Sequence, residues 1–227
     1  MDKKKLVQII ENFAPLELAE PWDCSGWLVE TDKVEVSKVM LCLTVTDYVV
    51  KQAKSQNCDM IVSHHPLFFI PMAYSGIDIY CAHTNLDKTQ GGTTDKLIEV
   101  LDFEVSEVDE FVRYIDCESS VQDFAQKLCQ ISRNVRLVNN KNISKLGKIA
   151  FCAGSGSEFI KAAAENNADA YVTGDLKFHT ALDSEIVLFD IGHFESEVPV
   201  LKVFEKLFQN DVEIVFAHEE SPFKNIF

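Results

Sequence analysis

The sequence predicts an α/β protein with mainly parallel strands and an internal repeat, and three observations lead there. Short apolar runs alternate with stretches whose apolar residues recur at helical spacing. Residues 39–63 lie without a gap over residues 149–173, so one strand–helix–strand pattern occurs twice. Three polar islands rich in histidine and acid each follow directly on an apolar run. Such runs read as buried parallel strands, and ligands of open α/β sheets bind beyond the strand ends.

Taken in order, residues 4–13 carry Leu6, Ile9, Ile10 and Phe13 at helical spacing and stop before Pro15. Residues 39–44 read as a strand, and 46–56 as a helix that Thr46 or Asp47 can cap. The run Met60-Ile61-Val62 delivers Ser63-His64-His65-Pro66. Residues 78–82 give a strand, followed by His83-Thr84-Asn85-Leu86-Asp87 and a helix near 94–101. Residues 111–117, 121–131 and 135–138 read as strand, helix and strand, and the polar stretch 139–145 as a loop. Strands at 148–152, 170–173 and 186–190 then alternate with helices at 157–166 and 176–183. The last strand leads into His193-Phe194-Glu195-Ser196-Glu197, and a helix at 199–209 and a strand at 212–216 close the chain. No low-complexity or Pro/Gly-rich linker separates the halves.

The internal match carries chemistry as well as apolar spacing. It pairs Cys42 with Cys152, Lys51 with Lys161, Ala53 with Ala163, Asn57 with Asn167, Asp59 with Asp169 and Val62 with Val172. The same register pairs His83 with His193 and Asp87 with Glu197, while His64-His65 meets Gly174-Asp175, so the halves are not equivalent. An imidazole and a carboxylate four positions on can converge if the segment is helical. Imidazole with carboxylate is a ligand set for zinc, iron, manganese or nickel. More than four such donors exceed the need of one tetrahedral zinc, which points to two ions.

Composition excludes several classes. The formal net charge of −15 argues against a broad basic face for nucleic acid. Seven cysteines without a Cys-x-x-Cys pair read as reduced thiols. The amino terminus lacks the apolar core of a signal peptide, and no run is long enough to span a membrane, so the expected location is cytoplasmic. Gly154-Ser155-Gly156-Ser157 lacks the lysine of a phosphate-binding loop and reads as a tight strand–helix turn. No Gly-x-Ser-x-Gly elbow points to serine hydrolase chemistry.

Ser63-His64-His65-Pro66-Leu67-Phe68-Phe69, Ala82 to Asp87 with Gly91-Gly92, Gly174 to His179 and Gly192 to Glu197 together resemble the GTP cyclohydrolase 1 type 2 homologue family, the NIF-three-like dinuclear-metal proteins. Pro21-Trp22-Asp23-Cys24-Ser25-Gly26-Trp27-Leu28-Val29 and Ser221-Pro222-Phe223 extend the resemblance over essentially the whole chain, in its short form without an inserted domain. It implies two similar α/β lobes related by internal duplication, with the metal site in the cleft between them, and a toroidal homohexamer. The lobes are expected at about residues 1–110 plus about 198–227, and at about 111–197. Carried over position by position, His64 and His193 would hold one divalent ion, His65 and Asp87 the other, and Glu197 would bridge them. His83 and His179 would move protons or orient ligands, Trp22 and Asp23 would pack and shape a turn, and His218 matches no motif.

The function expected is that of a dinuclear-metal-dependent hydrolase acting on a nucleotide or a related phosphorylated or heterocyclic small molecule. The alternative is a non-catalytic metal-binding carrier, sensor or scaffold.

Overall fold

The computed structural model describes residues 1–224. In chain order the elements begin with α1 (Lys3–Phe13), β1 (Gly26–Val29), β2 (Lys38–Cys42), α2 (Asp47–Ser55), β3 (Met60–Ser63), β4 (Asp78–Cys81) and α3 (Thr84–Lys88). There follow α4 (Thr93–Val100), β5 (Glu107–Asp109), β6 (Val112–Ser120), α5 (Val121–Leu128), β7 (Arg136–Val138) and β8 (Lys145–Phe151). The chain continues through α6 (Ile160–Glu165), β9 (Ala170–Thr173), α7 (Phe178–Leu182), β10 (Val187–Asp190), α8 (His193–Glu197), α9 (Leu201–Phe208) and β11 (Glu213–Phe216).

The chain divides into two compact units. The first takes Met1–Gly92 and Val200–Glu220, and the second takes Thr93–Pro199 and residues 221–224. The division falls at Gly92, earlier than the expected residue 110, because Leu97, Ile98 and Leu101 pack with Ile115, Phe124 and Phe151 in the second unit's core. The segment from Ser221 likewise belongs to the second unit, and the last three residues of the chain lie outside those described.

The first unit is a five-stranded sheet in the order β1-β4-β3-β2-β11. β11, β2, β3 and β4 are mutually parallel, and β1 lines β4 antiparallel. All four residues of β3 and of β4 are buried, as continuous apolar strands covered on both faces should be. Met40, Cys42, Ile61 and Ile79 meet Val49, Val50 and Ala53 of α2 on one face. β1 had no counterpart among the expected elements, since four residues beginning at a glycine are too few to show a period.

The second unit is a six-stranded sheet in the order β5-β6-β8-β9-β10-β7. Only its centre, β8, β9 and β10, is parallel, and β5, β6 and β7 pair antiparallel, so the expectation of mainly parallel strands fails here. Successive residues of the parallel strands enter opposite cores. Phe151, Val172 and Phe189 face one cluster, and Ala150, Tyr171 and Leu188 the other.

The parallel centres of the two units repeat one another in detail. Val39 pairs with Met60 and Ile149 with Ala170, Leu41 with Val62 and Phe151 with Val172. Asn57 and Asn167, each just past the central helix, both take left-handed backbone (φ 56° and 60°), which asparagine tolerates better than most residues. Two residues later Asp59 accepts from the amides of Ser37 and Lys38 (2.7 and 3.0 Å), and Asp169 accepts from those of Gly147 and Lys148 (2.7 and 3.1 Å). Each aspartate thus fastens one strand to the approach to the next. The repeat slips by one residue afterwards. Met60 and Ala170 occupy equivalent places, but their β4 and β10 partners are Asp78 and Val187. His83 therefore precedes α3, whereas His193 is the first residue of α8. The shared His-x-x-x-acid spelling arises from backbone positions one residue apart.

The Asp59 fastening has a pH signature. Burial alone would raise its carboxyl, but hydrogen bonds from the Lys33 ammonium, the Ser37 amide and hydroxyl and the Lys38 amide outweigh it and hold the group well below the usual range. A depressed folded pKa contributes stability that is present above the unfolded value, about 3.9, and is lost as pH falls through the folded one. Asp59→Asn is expected to cost about 1–3 kcal/mol at neutral pH. In urea denaturation, the gap from wild type should shrink in acid below about pH 4. A gap that stays constant into acid would refute this reading.

Candidate metal centre

In the first unit three adjacent parallel strands end together. Thr44 follows β2, His64 and His65 follow β3, and Ala82 and His83 follow β4, with Asp87 one helical turn further on in α3. His64 is wholly buried, and its Nδ1 lies 3.0 Å from the Ala82 carbonyl oxygen. A carbonyl only accepts, so Nδ1 carries the proton and Nε2 offers a lone pair when the ring is neutral. Asp87 Oδ1 stands 3.4 Å from that Nε2. His65 exchanges a hydrogen bond of 2.7 Å between Nδ1 and the Thr44 hydroxyl. The three rings cluster, with centroids 5.2 Å apart for His64 and His65, 5.3 Å for His64 and His83, and 5.9 Å for His65 and His83. One donor atom from each of His64, His83 and Asp87 lies within 4.8 Å of the others, close enough to share a cation.

Behind His83 stands Asp23, whose side chain is fully buried. Its Oδ1 accepts from His83 Nδ1 (2.9 Å) and the Cys24 amide (2.7 Å), and its Oδ2 accepts from the Ser25 hydroxyl (2.7 Å) and from the amide and hydroxyl of Thr84 (3.1 and 2.5 Å). Burial works against the charge, yet the hydrogen bonds from His83, Thr84 and Ser25 hold the carboxyl well below its usual range. Cys81 is close by but offers no thiolate, because burial pushes its thiol well up.

In the second unit His193 and Glu197 face each other across one turn of α8, with Nε2 to Oε2 at 2.9 Å. Asp175, just past β9, takes Nδ1 of His193 at 2.7 Å. Two glycines make room. A Cβ on Gly154, which also has φ of +69°, would fall 2.1 Å from Glu197 Oε1. One on Gly174 would fall 2.7 Å from the His193 backbone nitrogen. Burial should depress the His193 imidazole, but Glu197, and then Asp175, raise it to about 9. Both units thus present imidazole Nε2 atoms beside carboxylate oxygens, with a hard acceptor behind the other nitrogen. That nitrogen–oxygen donor set fits a divalent transition metal, whose histidines commonly donate the second N–H to a carboxylate or carbonyl.

The expected residues are distributed unevenly. His64, His65, His83 and Asp87 converge in the first unit, and His193 and Glu197 pair in the second. Asp87 lies against His64, the ring it was not expected to serve. His179 sits exposed on α7, its ring edge-on to Phe178 at 5.3 Å. Trp22 is 61% exposed and does not pack in a core, whereas Asp23 does far more than shape a turn. Asp175, which the internal repeat sets opposite His65, stands behind His193, a place that its residue type and spacing did not reveal. A cavity of about 510 Å³ opens beside His193, lined also by Arg136, Asp175, Asp190, Glu195 and Phe223, a size suited to a small molecule.

The family model described as Duf34/NIF3 (NGG1p interacting factor 3) matches residues 1–75 and 72–222. A Clostridium perfringens protein named GTP cyclohydrolase 1 type 2 homolog is 32% identical, and the alignment covers 100% of both chains. A Campylobacter jejuni protein of the same name is 28% identical over 99% of each. Among crystal and other solved structures, reduced HcgD from Methanocaldococcus jannaschii matches with a TM-score of 0.84 at 28% identity, covering 96% of this chain and 98% of that one. Staphylococcus aureus SA1388, at 24% identity, matches with a TM-score of 0.87 over 100% and 99%, a likeness of fold alone.

The raised His193 gives a direct measurement. In metal-free protein its ring should titrate near pH 9 by NMR, and Glu197→Gln should bring the midpoint down toward about 6.5. A folded pKa above the unfolded value means that this pair's contribution is complete below about pH 6.5 and is lost as pH rises through about 9. Metal-free protein should therefore lose stability across that window, and Glu197→Gln should flatten the loss. An unchanged His193 midpoint in the variant would show that Glu197 is not its partner.

Proposed function

Because the chain belongs to the Duf34/NIF3 family, we propose that it is a metal-dependent hydrolase that uses two divalent ions on a nucleotide or a related phosphorylated or heterocyclic small molecule. The observation that carries this reading is the His193–Glu197 pair, an imidazole Nε2 and a carboxylate oxygen 2.9 Å apart with Asp175 behind the ring. The convergence of His64, His83 and Asp87 supports it, as do the names of the relatives. His64, His65, Asp87, His193 and Glu197 are the proposed ligands, with Glu197 donating to both ions. Zinc, iron, manganese and nickel all suit this set.

Bound divalent ions would supply Lewis acidity and lower the pKa of coordinated water. The chain's own groups do the rest. Asp175 and the Ala82 carbonyl fix the tautomers of His193 and His64, so neither ring needs to reorient before binding. Gly154 and Gly174 keep Cβ atoms out of the space that Glu197 and His193 occupy. The exposed His179 is proposed to move the proton. The cavity beside His193 is the proposed substrate entry.

Elemental analysis joined to a turnover screen tests the proposal. Wild type should hold two equivalents of metal per chain and turn over a nucleotide or phosphoester, activity that chelator abolishes and one metal restores. Glu197→Gln should lower both equivalents together, His64→Ala mainly one, and His218→Ala, with a side chain 72% exposed, neither. Tight retention of two equivalents by Glu197→Gln would remove the bridging role. Metal occupancy without turnover on any such substrate would favour the carrier or scaffold reading.

The chain is also proposed to form a homohexamer. The loop after the histidine pair supports self-association, since Phe68, Phe69 and Met72 are 72%, 82% and 90% exposed on the chain alone. Light scattering should give a stable multiple of the chain mass, and a monomer at all concentrations would sink this. No helix among the described residues is long and apolar enough to cross a membrane, and a cytoplasmic location is part of the same proposal.

A further inference from the structure

We propose that Asp23 locks His83 with its proton on Nδ1, so that Nε2 of His83 is the third donor, with His64 and Asp87, to a divalent cation held by the first unit. The assignment adds a ligand to the five proposed above and rests on the reading that those residues bind metal. It makes Asp23 a positioning residue.

The chemistry of Asp23 decides the tautomer. Its two oxygens accept five hydrogen bonds, four of them from groups that hold the carboxylate whatever His83 does: the Cys24 amide, the Ser25 hydroxyl, and the amide and hydroxyl of Thr84. An ionised carboxylate has no proton to give, so the 2.9 Å contact from His83 requires the proton on Nδ1. The backbone fixes the ring from the other side. The His83 backbone amide donates to the Ser25 hydroxyl (3.1 Å) and to Asn85 Oδ1 (3.0 Å), and Asn85 Nδ2 donates to the Ala14 carbonyl (2.7 Å). With Nδ1 committed, the one nitrogen left to meet His64 and Asp87 in a donor group 4.8 Å across is Nε2.

Two further features support a ligand role over a packing one. His64 is held in the same sense by the Ala82 carbonyl, so two neighbouring rings each have Nδ1 committed to an oxygen acceptor. The second unit repeats the device, with Asp175 behind Nδ1 of His193. Two imidazoles and one carboxylate form the set used for non-haem iron(II) and, with water as a fourth ligand, for catalytic zinc.

NMR on protein carrying isotope-labelled histidine tests the two halves separately. In metal-free wild type at mildly alkaline pH, His83 should carry its proton on Nδ1, and a proton on Nε2 would overturn the proposal. On loading with NMR-active cadmium, coupling should appear between the metal and Nε2 of both His64 and His83. Coupling to His64 without His83 would remove His83 as a donor while leaving the metal reading intact. No cadmium uptake would sink that reading and the donor role with it. Asp23→Asn should weaken cadmium binding about 10–100-fold and abolish the single-tautomer signature of His83. Because that variant turns one of two buried acceptor oxygens into a donor, the wild-type spectra decide the matter even if it does not fold.

Discussion

The first unit's donor group hangs on a buried charge that cannot donate. Asp23 is out of water, and a carboxylate there is tolerated only if nearly every lone pair is met. Five donors from Cys24, Ser25, His83 and Thr84 meet them, and those donors come from two distant stretches of chain. The segment leading into β1 is thereby tied to the entry of α3, and the histidine between β4 and α3 is oriented as a consequence. Removing the carboxylate would leave several buried donors unmet, at a cost of about 1–3 kcal/mol for each. Local stability and ring orientation are the same interaction seen from two sides.

The two units show what a duplicated strand–helix–strand can keep and what it can trade. Both keep the left-handed asparagine and the aspartate that fastens neighbouring strand approaches, because these settle backbone geometry. The strand ends diverge. Where the first unit places His64, the second has Gly174, and the His193 backbone comes so close that any Cβ there would collide with it. Where the first has His65, the second has Asp175, whose carboxylate orients the imidazole that follows β10. An imidazole bonded to the Thr44 hydroxyl is exchanged for a carboxylate that holds a neighbouring ring, within one backbone frame.

Much of this was legible in the residues. The parallel centres of both sheets appear as apolar runs at 39–44, 60–62, 148–152, 170–173 and 186–190, since strands buried on both faces need continuous apolar sequence. The antiparallel edges were not legible as such. β5 is three exposed residues and β1 four, too short for a period, and the direction of β6 is set by its partners. The one-residue slip between His83 and His193 was equally hidden. Identical spelling, His and then an acid four places on, matched at the sequence register and masked a different start to each helix.

The sequence by itself determined the α/β class, the repeat, the family and the histidine and acid residues available at the strand ends, because each depends on local pattern or on residue type. Tertiary structure alone decided which nitrogen each ring presents, that Asp87 lies against His64, and that Asp23 and Asp175 stand behind His83 and His193. Those choices are made by groups up to 60 residues away in the chain, as Asp23 is from His83. A hydrogen bond is decided within a few tenths of an ångström, a distance that only the packed backbone can set.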